Sequence, residues 1–317
     1  MRTADNWPVA ANMLSFGSTT PDGTPNLKAP AESWRGQLQQ VADLGFAHVD
    51  PTDAWLSIGE LSDARFAELL GVLGETGLTV PSVSTTRRSV VDARYGEDHL
   101  RLGHAIIDRA PELGAEVVSF GFMQALTPAQ EQALWFWLAD GHHDDVDDRD
   151  TYDLAVARIR ELADHARDVG VQVSLEMYED TYIGTADLAV RFAHDVDRDN
   201  VGLNPDLGNL VRLHRPVEDI PAMFEKVLPL TNFWHIKNYT RDFDPATGAY
   251  ATHPTPLVQG VVNYRAVIRR ALELGFEGVF VCEHYGSDSL GVAAINREYI
   301  REVLRGAGRT HENRGTR

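Results

Sequence analysis

Three carboxylates and one imidazole are the residues in this chain best suited to chemistry: Glu176, Asp206, His235 and Glu283. Each falls at or near the end of a short β-branched run, the runs being 171–176, 200–206, 231–237 and 279–283. A strand turns successive side chains to opposite faces, so at most every second residue looks into a barrel. Placing Glu176 inside also puts Ser174 and Gln172 inside and leaves Val173 and Leu175 to meet the helices; Glu283 inside brings Val281 and Val279. Four consecutive strands then deliver the set to one end of one barrel. Carboxylates gathered there without a partner repel one another and lose hydration, and a divalent cation resolves the conflict. An oxygen-rich set with one nitrogen suits Mn²⁺ or Mg²⁺, Mn²⁺ first, with Co²⁺ or Zn²⁺ as further options. One charged strand end would mean only that a loop begins there; four on adjacent strands make a metal site.

Positioning these residues calls for a (β/α)₈ barrel in a single domain. Four further runs, about 9–16, 46–50, 78–84 and 116–121, precede the ligand-bearing ones, and amphipathic segments such as 32–44, 62–75, 153–167 and 264–274 follow them. Strand and helix patterns alternating in this way give a parallel sheet with helices outside. Helices are expected to stop at Gly45, Gly77, Gly114, Gly170 and Gly275, the usual C-terminal punctuation. An open doubly wound sheet is the alternative, weakened because no GxGxxG follows any strand. Three strand-to-helix connections, about 17–30, 122–150 and 238–262, are long enough to be lids or binding loops. All leave the C-terminal ends of strands, where barrel enzymes keep their active sites. The barrel is expected over 1–305, with 122–150 as an insertion and 306–317 as a frayed polar tail.

Composition narrows the partners. A net charge of −18 argues against nucleic acid. The single cysteine, Cys282, excludes an internal disulfide framework and fits a reducing compartment. No signal peptide or membrane span is legible, so a cytoplasmic protein acting on a small molecule is expected.

Several other residues invite a role. The insertion reads ALWFWLADGHHDDVDDRD and carries His142 and His143 beside Trp135, Phe136 and Trp137. Either histidine would serve as a proton carrier near neutral pH, and the aromatic rings would stack on a sugar or anchor the loop. Lys237 shares the parity of His235 and would bind a substrate oxygen or pair with a carboxylate. Arg241, Trp55 and Asp50 are candidate substrate contacts, and Arg87 and Arg88 lie on an active-face loop. Cys282 has the opposite parity to Glu283 and belongs behind the barrel wall.

The order Glu, Asp, His, Glu at the ends of strands five to eight resembles the xylose isomerase-like superfamily, which includes the ketose 3-epimerases. The likeness runs from strand one to helix eight. The family pattern His-x-x-acid-x-x-Arg is matched by His235 and Arg241, with Asn238 in the acidic place. Asn209 stands where a second histidine is usual, and Tyr182 where a second glutamate is usual. The resemblance implies that Glu176 and Glu283 move a proton on opposite faces of a carbon beside a carbonyl. The motifs HVDPTDAW after strand two and TTRRSV after strand three, with the histidine-bearing loop, further resemble the large subunit of bacterial C-glycoside deglycosidases. That implies a Mn²⁺-dependent lyase with a small β subunit, eliminating the aglycone from a 3-keto C-glucoside. His143 would then remove the C2 proton, with His142 as the other option. A ketose 3-epimerase or inositol-pathway isomerase is the alternative. An abasic-site endonuclease would need a basic groove that this acidic chain lacks, and a non-catalytic sugar-binding barrel has no use for the metal set.

Overall fold

The computed structural model describes residues 2–314, with side chains through 307. Its elements run β1 (Val9–Asn12), α1 (Ala31–Asp43), β2 (Val49–Asp50), α2 (Asp63–Thr76), β3 (Ser82–Ser84), α3 (Gly96–Leu113), β4 (Val117–Phe120), α4 (Pro128–Gln132) and α5 (Arg149–Asp168). They continue with β5 (Gln172–Glu176), α6 (Ala186–Val196), β6 (Val201–Asn204), α7 (Gly208–Val211), α8 (Ile220–Val227) and β7 (Phe233–Ile236). The chain ends through β8 (Asn238–Asp244), β9 (Ala249–Thr255), α9 (Tyr264–Glu273), β10 (Val279–Cys282) and α10 (Ser289–Arg314). Two parallel four-stranded sheets form, in the orders β2-β1-β10-β7 and β3-β4-β5-β6. Parallel bridges Thr52–Ser84 and His48–Thr79 join β2 to β3, and Leu203–Thr231 joins β6 to β7. The sheet therefore closes on itself as a (β/α)₈ barrel, with no open edge.

Alternation along the strands decides what lies inside. Ala10, Val117, Phe233, Val279 and Val281 form a separate apolar cluster, all at the parity that looks inward. Val173, Leu175 and Cys282 belong instead to the large core between strands and helices, as the sequence alternation requires. Burial in that layer pushes the Cys282 thiol up to about 12, which leaves it inert. The five glycines expected to end helices all have positive φ, between 69° and 89°, a region costly for residues with a Cβ.

Three expectations are modified. The first strand stops at Asn12 because its side chain accepts from Leu14 N at 2.8 Å and starts a 3₁₀ turn. The connection after β7 is not irregular: β8 and β9 pair as an antiparallel hairpin from Asn238–Thr255 to Asp244–Ala249. Gly248, with φ of 73°, turns its tip. The tail expected from 306 is largely a continuation of α10, since Val303, Leu304 and Ala307 are buried and carry the helix past Gly306; 315–317 lie outside the described residues. Among the described residues no helix is long and apolar enough to cross a membrane.

Candidate metal centre and adjoining cavity

Barrel closure brings Glu176, Asp206, His235 and Glu283 together, each offering one ligand atom, with all four atoms within 4.8 Å of one another. His235 Nδ1 is 3.3 Å from both Glu176 Oε2 and Glu283 Oε2. All four residues are buried, and His235 Nδ1 and Asp206 Oδ1 have no hydrogen-bond partner.

The other atom of each ligand is held. Glu176 Oε1 accepts from Asn209 Nδ2 at 3.2 Å. Asp206 Oδ2 and Glu283 Oε1 each accept from Lys237 Nζ at 2.6 Å. His235 Nε2 lies 3.0 Å from Ser84 Oγ and 3.5 Å from Asp50 Oδ2. Asp50 itself accepts from Ser82 Oγ at 2.6 Å and Asn12 Nδ2 at 3.0 Å. Outer partners of this kind fix ring tautomer and carboxylate rotation at metal sites. Close packing keeps them there: a Cβ at Gly208 would collide with the Lys237 side chain.

Electrostatics point the same way. Burial pushes the Asp206 carboxyl up to about 7 despite the neighbouring Lys237 ammonium. Burial also opposes charge on His235, Lys237 and Glu176, but their partners prevail. Glu176 and Asp50 hold His235 well above its ordinary value, and Asp206 with Glu283 does the same for Lys237. His235 keeps Glu176 below the usual carboxylate range. The cluster thus sets three carboxylates against one ammonium and one imidazole, and leaves His235 Nδ1 and Asp206 Oδ1 unpaired at its centre. Those residues fit a divalent cation.

A cavity of about 30 Å³ opens beside the ligands, lined also by Asn12, Thr52, Arg87, Tyr178 and Tyr285. It adjoins a second cavity of about 190 Å³, and Arg87, Met123 and Tyr178 wall both. His142 lines the outer cavity, with Nε2 3.2 Å from Asp144 Oδ1. His143 lines neither; it is exposed, 3.7 Å from Asp180.

Other candidates are occupied elsewhere. Trp55 is packed in the core with its indole N–H donated to Gln37 at 2.7 Å, so it is not a substrate contact. Asp50 sits behind His235 and orients it. Lys237 is spent on two ligand carboxylates. Arg241 donates to the carbonyls of Val211, Leu213 and Arg215 and packs on Tyr250, tying the hairpin down instead of facing a ligand. Arg88 pairs with Asp53 and Glu60. Asn238, in the acidic place of the family pattern, bonds the carbonyls of Leu257 and Val262 at 2.9 Å and secures the hairpin base. Tyr182 is buried edge-on against Phe122 and Tyr152.

Sequence reasoning missed Asn12 and Ser84 on β1 and β3, although the strand-end parity rule that found the ligands applies to both. It also missed Tyr178, Tyr285 and the Arg212–Glu179 pair, which lie in loops where no periodicity guides the reading.

Comparison with known proteins agrees with this fold. Residues 38–305 match the family model described as "Xylose isomerase-like TIM barrel". A crystal structure of a xylose isomerase-like TIM barrel protein from Mycobacterium smegmatis in complex with magnesium is 60% identical. It covers 97% of this chain and 99% of that one, with a TM-score of 0.94. The L-ribulose-5-phosphate 3-epimerase UlaE of Salmonella paratyphi C is 22% identical over 290 residues, covering 87% of this chain and 92% of its own. The 3-keto-D-glucoside 4-epimerase YcjR from E. coli shares the fold, with a TM-score of 0.63 at 14% identity over 94% of this chain and 100% of that one.

Proposed function

The chain belongs to the xylose isomerase-like TIM barrel family, and on that footing we propose that it is a divalent-metal-dependent sugar epimerase or isomerase. The observation that carries the proposal is the convergence of four ligand atoms whose companion atoms are already bonded. Glu176, Asp206, His235 and Glu283 would hold the cation. Bound there, it would polarise a substrate carbonyl and so acidify the neighbouring C–H. The magnesium in the 60% identical relative makes Mg²⁺ the first ion to test, beside the Mn²⁺ expected from sequence.

Glu176 and Glu283 are the proton carriers in this reading. Glu176 is ionised by its contact with His235 and takes the proton from the carbon beside the carbonyl. Glu283, fixed by Lys237 and protonated from solvent beforehand, returns one on the other face and is left ionised, while Glu176 passes its proton back to solvent. Lys237 and Asn209 keep the two carboxylates from rotating out of position, and Asp50 with Ser84 keeps His235 in one orientation. The experiment is deuterium uptake from solvent at the acidified carbon of a panel of keto sugars and their phosphates, with Mg²⁺ or Mn²⁺ supplied. Uptake that disappears in Glu176→Gln and Glu283→Gln is expected. No uptake across the panel sinks the proposal.

A second reading, a lyase acting on 3-keto C-glucosides, has one observation in its favour. His142 lines the outer cavity beside the metal pocket, where it would meet the C2 proton while the aglycone occupies the larger space. A protein of the same fold is a 3-keto-D-glucoside 4-epimerase, so a 3-keto glucoside is a reasonable test substrate. Aglycone release that falls in His142→Ala, with a small β subunit supplied, would support it. No release with the β subunit present removes it.

A further inference from the structure

Arg212 stands six residues after Asp206 and is fully buried. Its Nη2 donates to both oxygens of Glu179 at 2.8 Å. Its Nε and Nη1 have no hydrogen-bond partner. Four rings surround the guanidinium instead: Phe136 at 4.7 Å, Trp137 at 5.0 Å, Tyr178 at 5.2 Å and Tyr285 at 5.9 Å from carbon to centroid. Phe136 and Trp137 belong to the insertion after β4. Tyr178 and Tyr285 follow the ligands Glu176 and Glu283 by two positions and line the metal pocket. Trp137 also meets Tyr239 edge-on at 5.7 Å and Tyr285 at 5.4 Å, and stacks on Trp135 at 5.0 Å. The insertion thus rests on residues that follow each of the four ligands closely in sequence.

A guanidinium carries five N–H donors, and leaving some of them dry and unbonded is costly. Ring faces compensate for that loss, but two of the four rings are present only while the loop is down. With the loop lifted, water would reach the free nitrogens. The closed state gains rings and the open state gains hydration, so the two oppose one another. The device is needed because the metal pocket, at about 30 Å³, holds a water or so and not a sugar ring.

We propose that Arg212 is the latch that holds residues 122–150 over the metal pocket, and that substrate is admitted when this latch releases. Arg212 and Glu179 are positioning residues; neither lines the metal pocket. The inference takes the identity of the substrate from the preceding section, but the latch is read without turnover. The experiment is hydrogen exchange by mass spectrometry across the full chain, comparing wild type with R212K and W137A. Lysine keeps a charge for Glu179 but lacks the plane that stacks between rings. R212K is expected to retain the wild-type melting temperature while exchange in 122–150 rises about tenfold or more. W137A, which leaves the ion pair intact, is expected to free the same segment and no other. Metal content measured alongside should stay at the wild-type level in both. Wild-type exchange of the loop in both variants overturns the proposal, as does acceleration spread evenly over the barrel strands. If R212K does not fold, W137A decides alone. A negative deuterium-uptake result with keto sugars would remove the epimerase reading and leave the latch standing.

Discussion

In the metal pocket the protein partners one atom of each ligand and leaves the other free; under the loop after β4 it gives a buried cation one carboxylate and four rings. The first arrangement sits on strands and on the residues just past their C-terminal ends. Its members, Ser84, Asn204, Glu176 and His235 among them, are fixed by barrel hydrogen bonds, and the main-chain N–H of His235 donates to Asn204 Oδ1 at 2.8 Å. The second sits on loops and is held mainly by side-chain contacts, with a main-chain bond from Asp144 N–H to the Asp180 carbonyl at 2.8 Å beside them. Rigid placement suits ligands that must meet one ion, whereas a loop held by contacts of modest energy suits a part that must move. The two regions touch through Tyr178 and Tyr285, which serve both.

The comparison breaks most visibly at the ligands. Glu176→Ala or Asp206→Ala should abolish metal binding and lower turnover by at least about 10³-fold; elemental analysis of the purified variants checks the first part. Stoichiometric metal in both would show that the pocket is not the site. One step out, Asp50→Asn and Ser84→Ala remove the support behind His235 and should weaken metal affinity about 10- to 100-fold. Calorimetric titration with Mg²⁺ and Mn²⁺ measures it, and unchanged affinity would deny those residues their orienting role.

Acidity sharpens the contrast further. Asp206 keeps its proton up to about pH 7 in the folded, metal-free chain, and it must give that proton up to bind a cation. Proton release from Asp206 alone should make metal affinity fall about tenfold per unit as pH drops below 7. His235, held well above its ordinary value, must also lose a proton to bind the cation, so the dependence is steeper and does not end where that of Asp206 does. The same shift has a defined sign for stability. The unfolded carboxyl loses its proton near 3.8, so between about pH 4 and 7 the folded state binds more protons at this group. That contribution makes the metal-free fold less stable as pH rises through that window. Titrations at several pH values with a flat response would contradict the protonated Asp206.

The smallest effects belong outside both regions. His143→Ala should change turnover by less than about twofold, because the ring is exposed and lines neither cavity. Trp55→Phe should cost roughly 1 kcal/mol of stability through its lost bond to Gln37 and leave substrate KM alone. A large rise in KM in either variant would move the substrate path to where the structure does not put it.

Much of the metal pocket was legible because a strand has a period of two. Once Glu176 is inside, Ser174 is inside, and the same rule carries His235, Lys237, Val281 and Glu283. The glycines that end helices were legible for an equally local reason, the backbone conformation they adopt. The loop residues were not. Nothing in the spacing of His142 and His143 says which one lines a cavity, since Asp144 and Asp180 select their orientations. Nor does spacing reveal that Arg241 is consumed by three carbonyls, or that Trp135, Phe136 and Trp137 anchor the loop while Trp137 also walls the outer cavity. The strands β8 and β9 are not legible in the long connection 238–262, because their polar alternation resembles that of a loop.

By itself the sequence determined which side chains face the barrel interior and at which end of the strands they lie, because both follow from alternation within a few residues. Only the tertiary structure decided which atoms meet. Ser84 and His235 are 151 positions apart, and Asp206 and Arg212, six apart, serve different neighbours. Closure of the barrel sets those pairings, and no local rule of the backbone reaches across it.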